Sequence, residues 1–206
     1  MAEIGQRAPA WNLPSVKRRD FLRVALLAGT AGGLGAFGAA SLGFLWPSLA
    51  EGFGAKLNVS EQVGQSAQEI LADIEGEKAP LEFPSGRLYV VTWDPGIAGA
   101  EEAYGEDHVI LDNGKGLMAL YQKCVHLGCR VPWCQSSQWF ECPCHGSKYN
   151  RWGEWVGGPA PRGLDRFPSE LEGDSLVVDT GTILTGPART ARVLQQEPEG
   201  PHCIDI

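Results

Sequence analysis

The chain has 206 residues, 20% of them charged, a length that fits one globular domain of about 100–150 residues plus an extra segment. Its formal net charge of −8 is unevenly spread, with residues 1–23 at +3 and the remainder at −11. So acidic a body excludes nucleic acid, whose binders present basic faces, and is compatible with docking to a positively charged redox partner.

Residues 1–20 form a cationic N-terminal segment, expected in the cytoplasm. Residues 21–46 follow as an apolar run whose one charge is Arg23. As a helix this run would extend roughly 35–39 Å, enough to cross a hydrocarbon core of about 30 Å. Gly29, Gly32, Gly33, Gly35, Gly38 and Gly43 are interspersed with alanines, a small-residue pattern that lets transmembrane helices approach one another closely. Positive charge lies before the span and none directly after it, so the positive-inside rule puts the body outside the cytoplasm, at the periplasmic or outer face. Lys17-Arg18-Arg19-Asp20-Phe21-Leu22-Arg23 resembles a twin-arginine export signal. Ser48-Leu49-Ala50 is a poor small-x-small cleavage site, so the span is expected to stay as a single-pass anchor. Residues 47–56, with Pro47, Gly52 and Gly54, predict a short flexible linker.

From residue 57 to about 190 the apolar runs are short, rich in β-branched and aromatic residues, and separated by turn residues. Leu88–Trp93 precedes Asp94-Pro95-Gly96, His108–Leu111 precedes Asp112-Asn113-Gly114, and Leu176–Asp179 closes the domain. This is the patterning of an antiparallel β-sandwich or barrel, with one short helix expected within Gln65–Ile74. Asn113-Gly114 favours a tight hairpin turn because both residues accept positive φ.

Two short boxes dominate the domain. Leu117–Tyr121 runs into Cys124-Val125-His126-Leu127-Gly128-Cys129, and twelve residues later comes Cys142-Pro143-Cys144-His145-Gly146-Ser147. Two thiolates and two imidazoles suit a 2Fe-2S centre in which one iron carries two cysteines and the other two histidines, and a second cysteine pair is then left over. Structural zinc would use the same residue types but gives that leftover pair no role.

The boxes resemble those of the Rieske iron–sulfur proteins of cytochrome bc and cytochrome b–f quinol-oxidising complexes. The likeness continues through Val131-Pro132-Trp133, Gly146-Ser147-Lys148-Tyr149-Asn150 and Gly158-Pro159-Ala160-Pro161, and is dense over residues 118–165. Val125 departs from it, since the family usually has Thr there. The resemblance implies an all-β domain over 57–190 with a small cluster-binding part at about 118–165. It implies one 2Fe-2S cluster held by Cys124, His126, Cys142 and His145, and a Cys129–Cys144 disulfide bracing the two loops. Ser147 and Tyr149 fall where the family has hydroxyls that hydrogen-bond cluster sulfur and raise its potential. Leu127 and the Gly158–Pro161 loop fall where water is kept from the cluster. His126 and His145 would meet quinol through their outward nitrogens, and 47–56 would be a hinge on which the domain swings. The implied function is that of the Rieske subunit of a quinol–cytochrome reductase in a prokaryotic membrane respiratory chain. It would take one electron from quinol at the outer face, with proton release, and pass it to a c-type cytochrome or equivalent haem beside a cytochrome b-type subunit. A small electron-relay subunit of another oxidoreductase, such as an arsenite-oxidase-like enzyme, is the alternative. Aromatic-ring oxygenases also carry such boxes, but they lack the bridging cysteines and need a second iron domain.

Cys134 and Cys203 have no counterpart in the family pattern. Outside the cytoplasm they either form a second disulfide tying down the tail at 191–206 or remain buried free thiols. With Pro198 and Pro201, that tail reads as an extended segment lying on the domain or on a partner.

Overall fold

The computed structural model describes residues 17–45, 53–105 and 107–204. It divides into two units, residues 1–49 and 50–206. In the first, one helix, α1 (Arg18–Leu45), takes in the apolar run and is long and apolar enough to cross a membrane. It has no polar face, and Leu26, Leu34, Phe37 and Phe44 are all exposed. Its Thr30 hydroxyl donates to the Leu26 carbonyl (2.9 Å), so this donor is satisfied within the helix.

The second unit begins with β1 (Lys56–Asn58), α2 (Val59–Val63) and α3 (Ala67–Glu77). There follow β2 (Leu81–Phe83), β3 (Leu88–Trp93), α4 (Ala100–Tyr104), β4 (Val109–Ile110) and β5 (Gly116–Tyr121). Four short strands come next: β6 (Trp133–Cys134), β7 (Trp139–Glu141), β8 (Lys148–Tyr149) and β9 (Trp155–Gly157). Finally β10 (Arg166–Phe167), β11 (Ser169–Glu172) and β12 (Ser175–Asp179) close the domain. The described strands pair antiparallel in three sheets, ordered β1-β12-β11, β10-β5-β3-β2 with β4 also on β5, and β6-β7-β8-β9.

The middle sheet explains why β3 and β5 read as unbroken apolar runs. Successive strand residues point to opposite faces. Leu88 and Val90 of β3, with Leu117, Ala119 and Tyr121 of β5, enter a core shared with α3 and β12. The alternate residues Tyr89, Val91, Trp93, Met118 and Leu120 enter a second core with Phe140, Tyr149, Trp152 and the two box cysteines Cys124 and Cys142. A strand buried on both faces has no polar alternation to show. The second core is what fixes the boxes to the rest of the domain.

The helix expected within Gln65–Ile74 is α3, shifted a few residues onward. Ser66 and Glu69 form a reciprocal capping box at its start, and Ile70, Leu71 and Ile74 are its buried face. The five-residue helices α2 and α4 were not foreseen, since a single turn is too short to display a period.

The predicted linker 47–56 is corrected at its far end. The Gly54 and Ala55 amides both donate to Thr180 Oγ1 (2.8 and 3.2 Å), and the Phe53 amide donates to the Ser85 carbonyl (3.1 Å). The Phe53 ring stacks on Tyr121 at 5.4 Å, with the Arg87 guanidinium 4.8 Å from the Phe53 ring centroid. Residues 53–56 therefore belong to the domain, while 47–52 lie outside the described residues.

Candidate metal centre

Each box folds into a loop of the same construction. In the first, the Cys124 amide donates to the Cys129 carbonyl (2.7 Å) and the Gly128 amide donates back to the Cys124 carbonyl (2.9 Å). In the second, the Cys142 amide donates to the Ser147 carbonyl (2.8 Å) and the Gly146 amide to the Cys142 carbonyl (3.1 Å). The glycine four residues after each first cysteine has positive φ, +90° at Gly128 and +71° at Gly146, which is why both boxes have glycine there. Strand β5 delivers the first loop and the β7–β8 pair carries the second.

The loops are joined by a Cys129–Cys144 disulfide with a Cα–Cα distance of 6.6 Å and a sequence separation of 15. For a loop of that size the chain-entropy estimate is about 3 kcal/mol. Cys124 and Cys142 are the free cysteines, and both are buried. The rings of His126 and His145 lie 4.9 Å apart, near-perpendicular at 88°. His126 is half-buried and His145 exposed. Of the four expected ligands, the two cysteines are buried, while the two imidazoles, less buried, meet each other across the two loops.

Burial pushes the Cys142 thiol up, the backbone amides of Cys144 and His145 oppose this, and the neighbouring Cys124 sulfur pushes it further up. Two adjacent buried sulfurs cannot both ionise without positive charge close by, so this donor set fits a cationic iron centre.

Tyr149 is fully buried, and its hydroxyl lies 3.2 Å from Cys124 Sγ, at hydrogen-bond distance from the sulfur as expected. Burial, then the Cys124 sulfur, push this phenol far above its ordinary range, so it stays a donor at any physiological pH. Ser147 is also fully buried, but its oxygen accepts from the Ala160 amide (3.1 Å), tying the Gly158–Pro161 loop to the second box. Its hydroxyl hydrogen is still free to point elsewhere. Gly158 has φ +82°, and a Cβ there would lie 2.5 Å from the Gly146 carbonyl oxygen, so this loop rests directly on the second box. Leu127 is 71% exposed, so it projects from the loop instead of packing over it. Val125 is partly buried against the second core, where a methyl replaces the hydroxyl of the usual Thr.

The second disulfide left open by the sequence is present: Cys134 and Cys203 are bonded, with a Cα–Cα distance of 5.8 Å. It anchors a C-terminal strap that lies on the domain and not away from it. Glu154, 1% exposed, accepts from the Val193 amide (2.8 Å), the Leu194 amide (3.1 Å) and Asn150 Nδ2 (2.6 Å). Glu141, also 1% exposed, accepts from Ser137 Oγ (2.6 Å) and the Ile204 amide (2.8 Å), and meets His202 Nδ1 at 2.7 Å. Glu141 directly precedes Cys142, and Asn150 directly follows Tyr149, so the strap grips both ends of the second box. Neither glutamate was identified from sequence. The one available signal was the unassigned cysteine pair.

Residues 92–168 match the family model of the Rieske [2Fe-2S] domain. The chain belongs to the Rieske iron–sulfur proteins. Its cofactor is accordingly a Rieske-type [2Fe-2S] cluster, and its fold is the antiparallel all-β Rieske domain with one N-terminal apolar helix. The cytochrome b6-f complex iron-sulfur subunit of Chlorobaculum thiosulfatiphilum is 42% identical over 76 residues, which are 36% of this chain and 42% of that one. The chloroplastic cytochrome b6-f complex iron-sulfur subunit of Volvox carteri is 28% identical over 181 residues, 86% of this chain and 80% of that one. A chain in a solved structure of a hyperthermophilic respiratory complex III is 30% identical, over 75% of this chain and 97% of that one, with a TM-score of 0.35. The match to the Chlorobaculum relative spans about two fifths of that relative's length.

Proposed function

We propose that this Rieske protein is the subunit of a quinol-oxidising cytochrome complex that takes one electron from quinol outside the cytoplasm and passes it to a haem. The observation that carries this reading is that the same two loops bring the imidazoles of His126 and His145 together and bury the two free cysteines, Cys124 and Cys142. These four residues would hold the cluster. When bound, a centre with two imidazole ligands exchanges one electron at roughly −150 to +300 mV, a range that suits quinol.

The remaining steps belong to the chain's own residues. Each ligand histidine keeps one ring nitrogen facing outward, able to accept a hydrogen bond from a quinol hydroxyl and then its proton. His145, the more exposed of the two, is the better placed to meet substrate. Electron and proton thus leave the quinol together, and the proton is released outside. The Tyr149 hydroxyl stabilises the electron-rich state by donating to Cys124 sulfur. The Cys129–Cys144 bridge keeps the loops in register, and α1 holds the subunit beside a cytochrome b-type partner.

A redox titration of the cluster's paramagnetic-resonance signal, repeated across pH, tests this. The midpoint potential is expected to be flat at low pH and to fall by about 59 mV per pH unit or more once a ligand histidine ionises. A potential constant into the alkaline range would overturn the coupled proton step.

A further inference from the structure

Charge over residues 24–206 is not evenly distributed. Residues 24–117 stand at −9 and residues 166–206 at −4, whereas the box-bearing stretch 118–165 stands at +2. Its three carboxylates are withdrawn from the surface or matched: Glu141 and Glu154 are buried beneath the strap, and Asp165 is paired with Arg162.

Cations gather on two sides of the joined box loops. On the first side, Lys123 and Arg130 face each other in an antiparallel bridge at the stem of the first loop. Like charges directly opposite one another are destabilising by themselves, and Glu82 pairs only with Arg130. The Lys123 chain runs over the loop, its Cε 3.2 Å from where a Gly128 Cβ would be. On the second side, the Trp155 indole N–H donates to the Gly158 carbonyl (3.1 Å). The Arg189 guanidinium stacks on that indole, 3.8 Å from its centroid, and donates to the same carbonyl (3.4 Å). Arg192 lies 5.9 Å from the same ring. Among the described residues, Lys123, Arg189 and Arg192 form no ion pair with a carboxylate, and all three are exposed. From the first loop Leu127 projects, 71% exposed.

We propose that this face docks the electron acceptor through an acidic surface, that of a haem protein whose exposed haem edge is ringed by carboxylates. The proposal rests on the electron-transfer reading above and reverses the positively charged partner expected from net charge. A stacked guanidinium is held in place yet keeps its edge donors free, so it engages a carboxylate with little further ordering. Opposite local charge also steers the encounter, which net charge of the wrong sign would otherwise slow.

The test uses the full-length, cluster-loaded protein in an uncharged detergent. The reduced protein is mixed rapidly with two c-type cytochromes of similar potential, one acidic and one basic around the haem edge. At about 10 mM ionic strength, where charges act over about 30 Å, the acidic cytochrome is expected to be reduced roughly tenfold faster. Its rate should fall as salt rises. Arg189→Glu with Arg192→Glu should remove most of that advantage while leaving the cluster's absorption spectrum and potential unchanged. Lys123→Glu, on the first box loop, provides an independent variant with the same expected loss. Faster reaction with the basic cytochrome, or rates indifferent to salt and to charge reversal, would overturn the proposal. Transfer to neither cytochrome would instead overturn the electron-relay reading on which it stands.

Discussion

At Tyr149, strand register decides chemistry. Pairing of Tyr149 with Phe140 across β7 and β8 turns the ring inward, and its hydroxyl reaches Cys124 in the other loop. A neutral hydrogen bond contributes about 0.5–1.5 kcal/mol. For a one-electron couple, 1.4 kcal/mol corresponds to about 59 mV. Tyr149→Phe is therefore expected to lower the cluster potential by roughly 20–60 mV with the cluster retained, as read by redox titration. An unchanged potential would mean that the hydroxyl does not donate to sulfur in the loaded protein. Tyr149 was legible in the sequence because its role depends on residue type at a fixed distance from a box. Glu141 and Glu154 were not, since their partners His202, Ile204, Val193 and Leu194 lie about 40–60 residues away. Nothing local distinguishes them from surface glutamates.

At the scale of elements, the strap from Val193 to Ile204 behaves as an added layer on the cluster-binding part. The Cys134–Cys203 bridge spans a separation of 69 residues, for which the chain-entropy estimate is about 4 kcal/mol. Its two glutamate anchors respond to pH in opposite directions. Burial acts to raise the Glu141 carboxyl, but the donors Ser137, His202 and Ile204 outweigh it, and its pKa lies below the ordinary value. A lowered folded-state pKa contributes stability that is complete above the unfolded value of about 4.3 and is lost as pH falls through the folded value. For Glu154 burial outweighs its donors and the pKa is raised. Its contribution is present below the unfolded value and is lost as pH rises through the folded one. Glu141→Gln should thus flatten the loss of thermal stability between about pH 5 and pH 3. Measuring the melting temperature of both proteins across that range checks this. An acid limb as steep as that of the native protein would assign acid sensitivity elsewhere. Strand patterning announced the sheets, and the boxes announced the loops. The strap stayed ambiguous because an extended, proline-containing tail looks the same in sequence whether or not it docks.

At the scale of the whole molecule, charge, disulfides and anchor all bear on which side of the membrane the second unit occupies. Two disulfides suit an oxidising compartment, and the positive-inside rule would keep the cationic N-terminal segment in the cytoplasm. Net charge alone does not describe the docking face, because averaging over the chain hides a cationic stretch between two acidic ones. Export poses a further constraint. A domain whose second core includes both free cysteines and the packed loops reaches its final form only once folded, so a route that carries folded proteins suits it. Arg18 and Arg19 at the start of α1 stand where such a twin-arginine signal would be read. Replacing both with lysine keeps the charge, so the positive-inside preference is untouched and only the arginine-specific signal is removed. The expected result is accumulation of the protein on the cytoplasmic side with all six cysteines reduced. Protease accessibility of intact cells, combined with thiol labelling, would read both properties at once. Unchanged surface exposure and intact Cys129–Cys144 and Cys134–Cys203 bridges in that variant would show that the cations act through charge alone.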